Sequence, residues 1–342
     1  MKKRSATLSD IASELDIDVS TVSKALNGHP KISRETKNKV ENTAARLNYH
    51  PNHIATALVK GHSKLIGVMV PHTDESFFAT VIRGIEETAK EAGYRIIIFQ
   101  SNDKTEDEIQ NLKIMQEAKV DGIIASPAIH TTDFSHYQQI LDQDLPLVIF
   151  DRFDESLDSD IVAIDDFKGS YKAVTHLIEQ GCRKIMHISG FQHVHIYKER
   201  LRGYKQALID SGLPYDENLV LESDMSLQHS KEIVSQKLRE WDTPDAIFAS
   251  SDYSALGAVQ VLQEHNIRIP QQVAVVGFSN ESFTSFVTPS ITSVEQHARK
   301  MGEKTAQAFI SHVHNPREQK VAKVSTKTIL TPELIVRESS RR

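Results

Sequence analysis

From residue 64 onward the chain alternates short, unbroken apolar runs with amphipathic stretches, and that rhythm excludes most architectures. Leu65-Ile66-Gly67-Val68-Met69-Val70, Arg95-Ile96-Ile97-Ile98-Phe99, Gly122-Ile123-Ile124-Ala125 and Leu147-Val148-Ile149-Phe150 are the first set, with helical spacing over 77–92 and 109–117 between them. The pattern then restarts with Ile161–Ile164, Lys184–Ile188, Ala246–Ala249 and Val273–Val276. Short runs with no polar alternation belong to strands covered on both faces, so the sheets are expected to be parallel with helices on each side. Two such runs predict two doubly wound lobes. In this architecture ligands sit beyond the carboxyl ends of the strands, and two sets of ends can face one cleft. The chain returns near Val294 and again near residues 324–330, so several crossings and a hinge are expected.

The first sixty residues have a different period. Leu8, Ile11, Ala12 and Leu15 lie on one face of a helix, and Val22, Ala25 and Leu26 on one face of a second. Asp18 is placed to cap the second helix, which starts at Val19. Asp16-Ile17-Asp18 leaves room only for a turn, with Ile17 as the plug between the helices. The second helix keeps Ser20, Thr21, Ser23 and Lys24 outward, groups suited to phosphates and base edges. Spacing alone leaves open an ordinary helix pair of any bundle. A third helix follows Ser33, with Val40, Ala44 and Leu47 on its apolar face, and His50-Pro51-Asn52 stops it. Asn52 can cap a fourth, His53-Ile54-Ala55-Thr56-Ala57-Leu58, too short to be stable alone. Such a segment suits folding on a partner and pushing Leu58 into it as a wedge.

These residues together resemble the lactose-repressor (LacI/GalR) family of bacterial transcription regulators. The resemblance is carried by Thr7-Leu8-Ser9-Asp10-Ile11-Ala12, Ser20-Thr21-Val22-Ser23-Lys24-Ala25-Leu26-Asn27, Leu47-Asn48-Tyr49-His50-Pro51-Asn52 and Leu58, and extends along nearly the whole chain. It implies that the helix from Val19 reads the major groove and that a hinge helix enters the minor groove, where Leu58 opens a base step. Val19, Ser20 and Lys24 would then face bases, and Thr21, Ser23, Asn27 and Lys31 phosphates. Thr7, Leu8, Asn52, His53 and Ala55 are the further DNA contacts it implies. Val19 departs from the polar residues some members use: it can touch a thymine methyl but cannot hydrogen-bond, so the operator cannot be copied from a relative.

The implied organisation is an all-α helix-turn-helix head (1–50), a hinge helix and linker (51–63), and a periplasmic-binding-protein-like two-lobed α/β body (64–342). The first lobe would hold about 64–163 plus a return segment, 294–324, and the second about 164–293 plus the C-terminal segment. Charge fits this division. The 342 residues carry a net −6, yet residues 1–62 hold ten Lys/Arg against six Asp/Glu, so the head is +4 and the rest −10. A basic head on an acidic body suits a protein that meets nucleic acid at one end. The single cysteine, Cys182, excludes an internal disulfide framework and fits a reducing compartment. Met1-Lys2-Lys3-Arg4 leads into no apolar run, and no stretch approaches the roughly 20 apolar residues of a membrane span. A cytoplasmic protein, nucleoid-associated when on DNA and without membrane contact, is expected.

Strand ends supply the candidate effector contacts. Phe77 and Phe78 follow the first strand and could stack on a sugar ring or planar ligand; Ser126 follows the third, and Asp151-Arg152 the fourth. In the second lobe Arg200, Asp252, Ser279 and Asn280 lie after strands, and the resemblance favours Arg200, Asp252 and the residues around Asp151, Met225 and Ser279. The plainer readings are that Asp252 only caps its helix and that Asp151-Arg152 is a local ion pair. Many members carry an aspartate where Ser279 stands, so Ser279 and Asn280 would share its work here. Val194 and Ile196 replace polar groups of nucleobase-binding members, which favours a carbohydrate or sugar derivative.

Catalytic motifs fail on inspection. Gly277-Phe278-Ser279-Asn280-Glu281 lacks the last glycine of a nucleophile elbow, no glycine-rich phosphate loop follows a strand, and His193-Val194-His195 has no accompanying ligand set for a metal. No enzyme activity, cofactor or metal is expected. The expected function is a transcriptional repressor that binds a near-palindromic operator as a homodimer under control of a small molecule. A dimer is expected in place of a tetramer because Glu338-Ser339-Ser340-Arg341-Arg342 carries no leucine heptads. The alternative is a solute-binding protein without a DNA role.

Overall fold

The computed structural model describes residues 6–49, 62–240, 243–314 and 325–342. The chain divides into two compact units, 1–63 and 64–342.

In the first unit, α1 (Leu8–Leu15), α2 (Val19–Leu26) and α3 (Arg34–Arg46) pack around Ile11, Ala12, Val22, Ala25, Val40 and Ala44. Thr7 and Asp10 form a reciprocal capping box on α1, and Asp16 ends that helix in the left-handed conformation (φ 52°). Ile17 packs half-buried against the core. Asp18 occupies the N-cap position of α2, but its side chain makes no capping hydrogen bond. Ser33 does cap α3, accepting from the Thr36 amide at 3.1 Å.

The second unit contains two six-stranded sheets. Its elements in chain order are β1 (Leu65–Val70), α4 (Ser76–Glu91), β2 (Arg95–Gln100), α5 (Thr105–Glu117), β3 (Gly122–Ala125), α6 (Ser135–Asp142), β4 (Leu147–Phe150), β5 (Asp160–Ile164), α7 (Asp166–Glu179), β6 (Ile185–Ser189), α8 (His195–Asp210), β7 (Val220–Glu222), α9 (Leu227–Glu240), β8 (Ala246–Ala249), α10 (Asp252–Glu264), β9 (Ala274–Ser279), β10 (Thr292–Glu295), α11 (Ala298–His314), β11 (Lys327–Leu330) and β12 (Glu333–Ile335). The first sheet runs β11-β5-β4-β3-β1-β2, all parallel, with Ile66 opposite Gly122 and Ile96. The second runs β12-β10-β9-β8-β6-β7. It departs from the all-parallel expectation at one edge, where β12 pairs antiparallel with β10. Such an edge strand needs no crossover helix, so three residues returning from the first lobe can supply it.

The inner strands of each sheet, such as β1, β3, β4 and β8, are buried on both faces, as unbroken apolar runs require, while the edge strand β2 is largely exposed. In the first lobe, Val68, Phe78 and Phe150 belong to one apolar cluster and Met69, Leu112 and Ile149 to another; the second lobe has the equivalent pair. The expected return segment, 294–324, is displaced in the structure. Thr292–Glu295 stays in the second sheet, and the first lobe gains α11 and then β11, up to Leu330. Three crossings therefore join the lobes, after β5, after β10 and after β11. Helix α11 is seated on α4 at backbone distance: a Cβ on Gly84 would come within 2.4 Å of the Arg299 carbonyl, and one on Gly302 within 2.1 Å of the Val81 carbonyl.

One buried group gives the second lobe an acid limit. His187 on β6 is fully buried, stacked between Tyr204 and Phe248; its Nδ1 donates to the Phe248 carbonyl at 3.1 Å and its Nε2 has no partner. Burial in this apolar stack pushes its pKa down to about 4. The unfolded chain protonates it near pH 6.5 and the folded one does not. The associated stability is therefore complete above pH 6.5 and is lost as pH falls toward 4, to a limit of about 3 kcal/mol. A His187→Phe chain is expected to keep more of its neutral-pH stability at pH 4.5 than the parent does. Urea titrations at pH 7.5 and 4.5 check this, and equal losses in both chains would remove His187 as the cause.

Candidate functional site

Two sites emerge, one in each unit. On the head, α2 buries Val22 and Ala25 and leaves Val19 (43% exposed), Ser20 and Lys24 outward, with Thr21 and Ser23 half-buried beside them. This face sets one exposed valine among hydroxyls and a cation, groups of the kind that contact thymine methyls and phosphates. Lys31 is exposed past the helix end, while the Asn27 side chain donates to the Ser23 carbonyl at 2.8 Å. The Thr7 hydroxyl is engaged in the capping box, donating to Asp10 at 2.8 Å, and Leu8 packs half-buried against the head core. Arg46 pairs with Glu14, and the Lys37 ammonium donates to the Gly28 carbonyl at 2.9 Å, holding α3 on the loop after α2. Asn52, His53, Ala55 and Leu58 lie outside the described residues.

On the body, a cleft of about 380 Å³ lies between the lobes at the carboxyl ends of both sets of strands. It brings together Phe77, Phe78, Asp151, Arg152, Arg200, Met225, Asp252 and Ser279 of the expected contacts. Ser126 and Asn280 are not among its walls. Ser126 is fully buried, its amide bound to the Met69 carbonyl at 3.0 Å. Asn280 turns away into the hinge, donating to Glu295 and accepting from Arg337, each at 2.7 Å. Position at a strand end decides which residues approach a cleft; the local backbone (φ 51° at Asn280) decides which side chains enter it.

Arg152 does not pair with Asp151. Its guanidinium donates to Asp103, from the loop after β2, and to the Pro127 carbonyl at 3.3 Å. Asp103 also accepts from His72 at 3.2 Å and from the Ile129 amide at 2.7 Å. Burial opposes ionisation of Asp103, but the Arg152 charge and these donors outweigh it and hold the carboxyl well below its ordinary range. The same hydrogen bond raises the His72 pKa.

Arg200 projects from α8 and is almost wholly buried. It bonds Asp166 (Nε at 2.8 Å), donates to the Ser250 carbonyl at 2.6 Å and lies 3.7 Å above the Phe278 ring. Burial is strong enough to push Asp166 up to about 7 despite the guanidinium.

Asp252 is the first residue of α10, whose cap is Ser251. Its carboxylate accepts from Ser293 at 2.6 Å and from the Glu281 amide at 2.7 Å, and burial pushes its pKa up to about 7. Neither plain capping nor direct ligand contact alone describes it: it fixes the loop that carries Glu281. Gly277 is required beside it, since a Cβ there would stand 2.1 Å from Asp252 Oδ1. Ser279 accepts from Gln296 at 2.8 Å.

Sequence reasoning missed Glu281, which bridges the lobes. Its carboxylate accepts from the amides of Ser76 and Phe77, both at 3.1 Å, and from the Ser76 hydroxyl, so a residue of the second lobe caps the first turn of α4 in the first. Tyr197, Tyr253, Glu75, His72 and Asp103 also line the cleft unannounced. The available signal was their place after β1, β2, β6 and β8. His193 and His195 serve elsewhere: one bonds the Ile129 carbonyl at 2.9 Å, and the other lies 4.2 Å from the Phe153 ring.

A three-helix head with an exposed polar helix face, and a two-lobed body hinged around a polar cleft, have the form of a ligand-responsive DNA-binding regulator. Comparison with known proteins gives the family. Residues 7–52 match the model of bacterial regulatory proteins of the lacI family, and residues 174–340 that of the periplasmic binding protein-like domain. The chain is 31% identical to the HTH-type transcriptional regulator DegA of Bacillus subtilis over 335 residues, 98% of each chain, and 32% identical to catabolite control protein A of Priestia megaterium over 297 residues (86% and 89%). Among solved structures it resembles a transcriptional regulator CelR–cellobiose complex (TM-score 0.74, 27% identity, 98% and 99% covered). It shares its fold with the lac repressor dimer bound to operator and an anti-inducer (TM-score 0.87, 22% identity, 99% and 100% covered). The chain belongs to the lacI family of bacterial regulatory proteins. It is a DNA-binding transcriptional regulator; its relatives are regulators, not enzymes. Among the described residues no helix is long and apolar enough to cross a membrane.

Proposed function

We propose that the chain is a cytoplasmic repressor that binds a near-palindromic operator as a homodimer and answers to a carbohydrate or sugar derivative held in the interlobe cleft. The observation that carries the regulatory part is Glu281, which ties the lobes directly across the cleft mouth. Anything that seats in the cleft favours or opposes that closure, and through it the geometry of the paired heads. Effector and operator affinities are then reciprocally linked. The base contacts are Val19, Ser20 and Lys24; the phosphate contacts are Thr21, Ser23, Asn27 and Lys31, with Thr7, Leu8, Asn52, His53 and Ala55 beside them and Leu58 as the minor-groove wedge. The effector contacts are Phe77, Phe78, Asp151, Arg152, Arg200, Met225 and Ser279.

The second copy has a place to dock. Strand β2 is the free edge of the first sheet, with Ile97 36% and Ile98 46% exposed, and Ile109 and Ile114 stand exposed on the adjoining α5. A bare apolar edge invites pairing, and here the partner is an identical chain.

Selection from a random duplex library with the full chain is the test, combined with thermal-shift screening against sugars. Two half-sites related by a dyad are expected, and a binder shifts the body's melting by mass action. A Leu58→Ala chain is expected to bind the selected operator roughly tenfold less tightly with sugar affinity unchanged, the loss of a wedge contact. Recovery of no symmetric site would overturn the repressor reading.

A further inference from the structure

Glu281 reaches from the second lobe to the first, and a second crossing runs the other way. The loop after β3 belongs to the first lobe, yet its Ile129 is only 4% exposed and sits in the apolar cluster of the second lobe that also holds Val194, Ile196 and Tyr197. The Ile129 carbonyl accepts from His193 Nε2 at 2.9 Å, and the His130 ring lies 5.7 Å from that of Phe191. The two crossings use different strand ends. Glu281 joins the end of β9 to that of β1, and Ile129 joins β3 to β6. In the second sheet β8 stands between β9 and β6, so the crossings lie on either side of Asp252. Ile129 is held firmly by its own lobe. Its amide donates to Asp103 at 2.7 Å, the Ala128 amide donates to Glu108 at 2.6 Å, and the Pro127 carbonyl accepts from Arg152 at 3.3 Å. Glu108 is fully buried in the first turn of α5 and also accepts from Thr131 at 2.8 Å and His136 at 2.7 Å. Three consecutive residues are thus pinned by charged groups, which make the stronger hydrogen bonds. Two of those groups, Asp103 and Arg152, also line the cleft.

We propose that Ile129 is a latch that holds the lobes closed, with Asp103 as the residue that positions it and ties its hold to the cleft. Opening the lobes draws the Ile129 side chain out of an apolar cluster into water and breaks the His193 hydrogen bond. Because the loop is already fixed on its own lobe, closing costs little ordering of the chain. The link to the cleft runs through shared atoms. Asp103 accepts from the Ile129 amide, from Arg152 and from His72. A cleft occupant that draws on Arg152 or His72 therefore takes a partner from the carboxylate that holds Ile129 in place. The latch requires no particular effector chemistry, so it stands or falls apart from the sugar reading.

Hydrogen exchange of the full chain, read by mass spectrometry with fragmentation to single residues, tests the latch at a remote place. The Ser76 and Phe77 amides donate to Glu281 of the other lobe, so their exchange reports lobe opening, and Ile129 belongs to neither end of that bridge. Ile129→Ala removes most of the inserted side chain and leaves the loop backbone. It is expected to speed exchange at Ser76 and Phe77 at least about tenfold, while the amides of β1 and β8 keep their parent rates. Asp103→Asn keeps an acceptor oxygen but loses the charge, and is expected to speed the same two amides at least about fivefold. Ile129→Val keeps the branched shape and is expected to change them less than about threefold. Parent rates at Ser76 and Phe77 in the Ile129→Ala chain would overturn the latch. Equal acceleration in β1 and β8 would overturn it too, since Ile129 would then support the folded core and not the closure. Parent rates in the Asp103→Asn chain would remove Asp103 as the positioning residue.

Discussion

An Arg200→Ala chain is expected to lose its effector response and to melt on the order of 10 °C below the parent. Arg200 and Asp166 form a buried ion pair, and removing one partner leaves the other buried and uncompensated, a loss of about 3–5 kcal/mol. The guanidinium also covers the Phe278 ring and holds the Ser250 carbonyl, so its loss disturbs the ends of β8 and β9 together. A double change, Asp166→Asn with Arg200→Met, separates stability from binding, because it removes both charges and keeps the volume. That chain is expected to regain most of the melting temperature and still not respond to effector. Melting curves with and without ligand decide it: an Arg200→Ala chain as stable as the parent would remove the pair from the lobe's support, and an intact response in the double variant would remove Arg200 from the ligand site.

The second large effect concerns assembly. A chain carrying Ile97→Asp, Ile98→Asp and Phe286→Asp is expected to sediment as a monomer and to bind the selected operator at least about a hundredfold less tightly. Two linked heads gain two to four orders of magnitude over one, and a monomer forfeits that gain. Phe286 is included because it stands 82% exposed on the loop after β9, the most exposed large apolar side chain described. The head is untouched, so residual binding to a single half-site should match that of the parent. Sedimentation that still shows a dimer would place the interface elsewhere.

The elements most legible in the sequence were those whose burial pattern is local. The α2 face from Val19 to Lys24 could be read from helical spacing, and β1, β3, β4 and β8 from their unbroken apolar runs. Strands β7 and β12 were not, since three residues with only partial burial carry no period. The cleft was legible to the extent that strand ends define it. Asp103 escaped because its partner, Arg152, lies 49 residues away, and Glu281 because its partner, Ser76, lies 205 residues away. Pairings of that separation leave no mark in a local window. Asn280 was misplaced for the converse reason: its neighbourhood was right, and its side-chain direction is set by Glu295 and Arg337.

The last strand of the first sheet has a consequence in time. Strand β11 comes from Lys327–Leu330, and α11, which covers α4, from Ala298–His314. A ribosome making roughly 5–20 residues per second therefore releases the head tens of seconds before the first lobe has all its pieces. Throughout that interval β5 has an open edge and the apolar side of α4 has no cover. The nascent chain thus holds a finished DNA reader on an unfinished sensor, and chaperone demand should concentrate on the body, where the sequence separations are long.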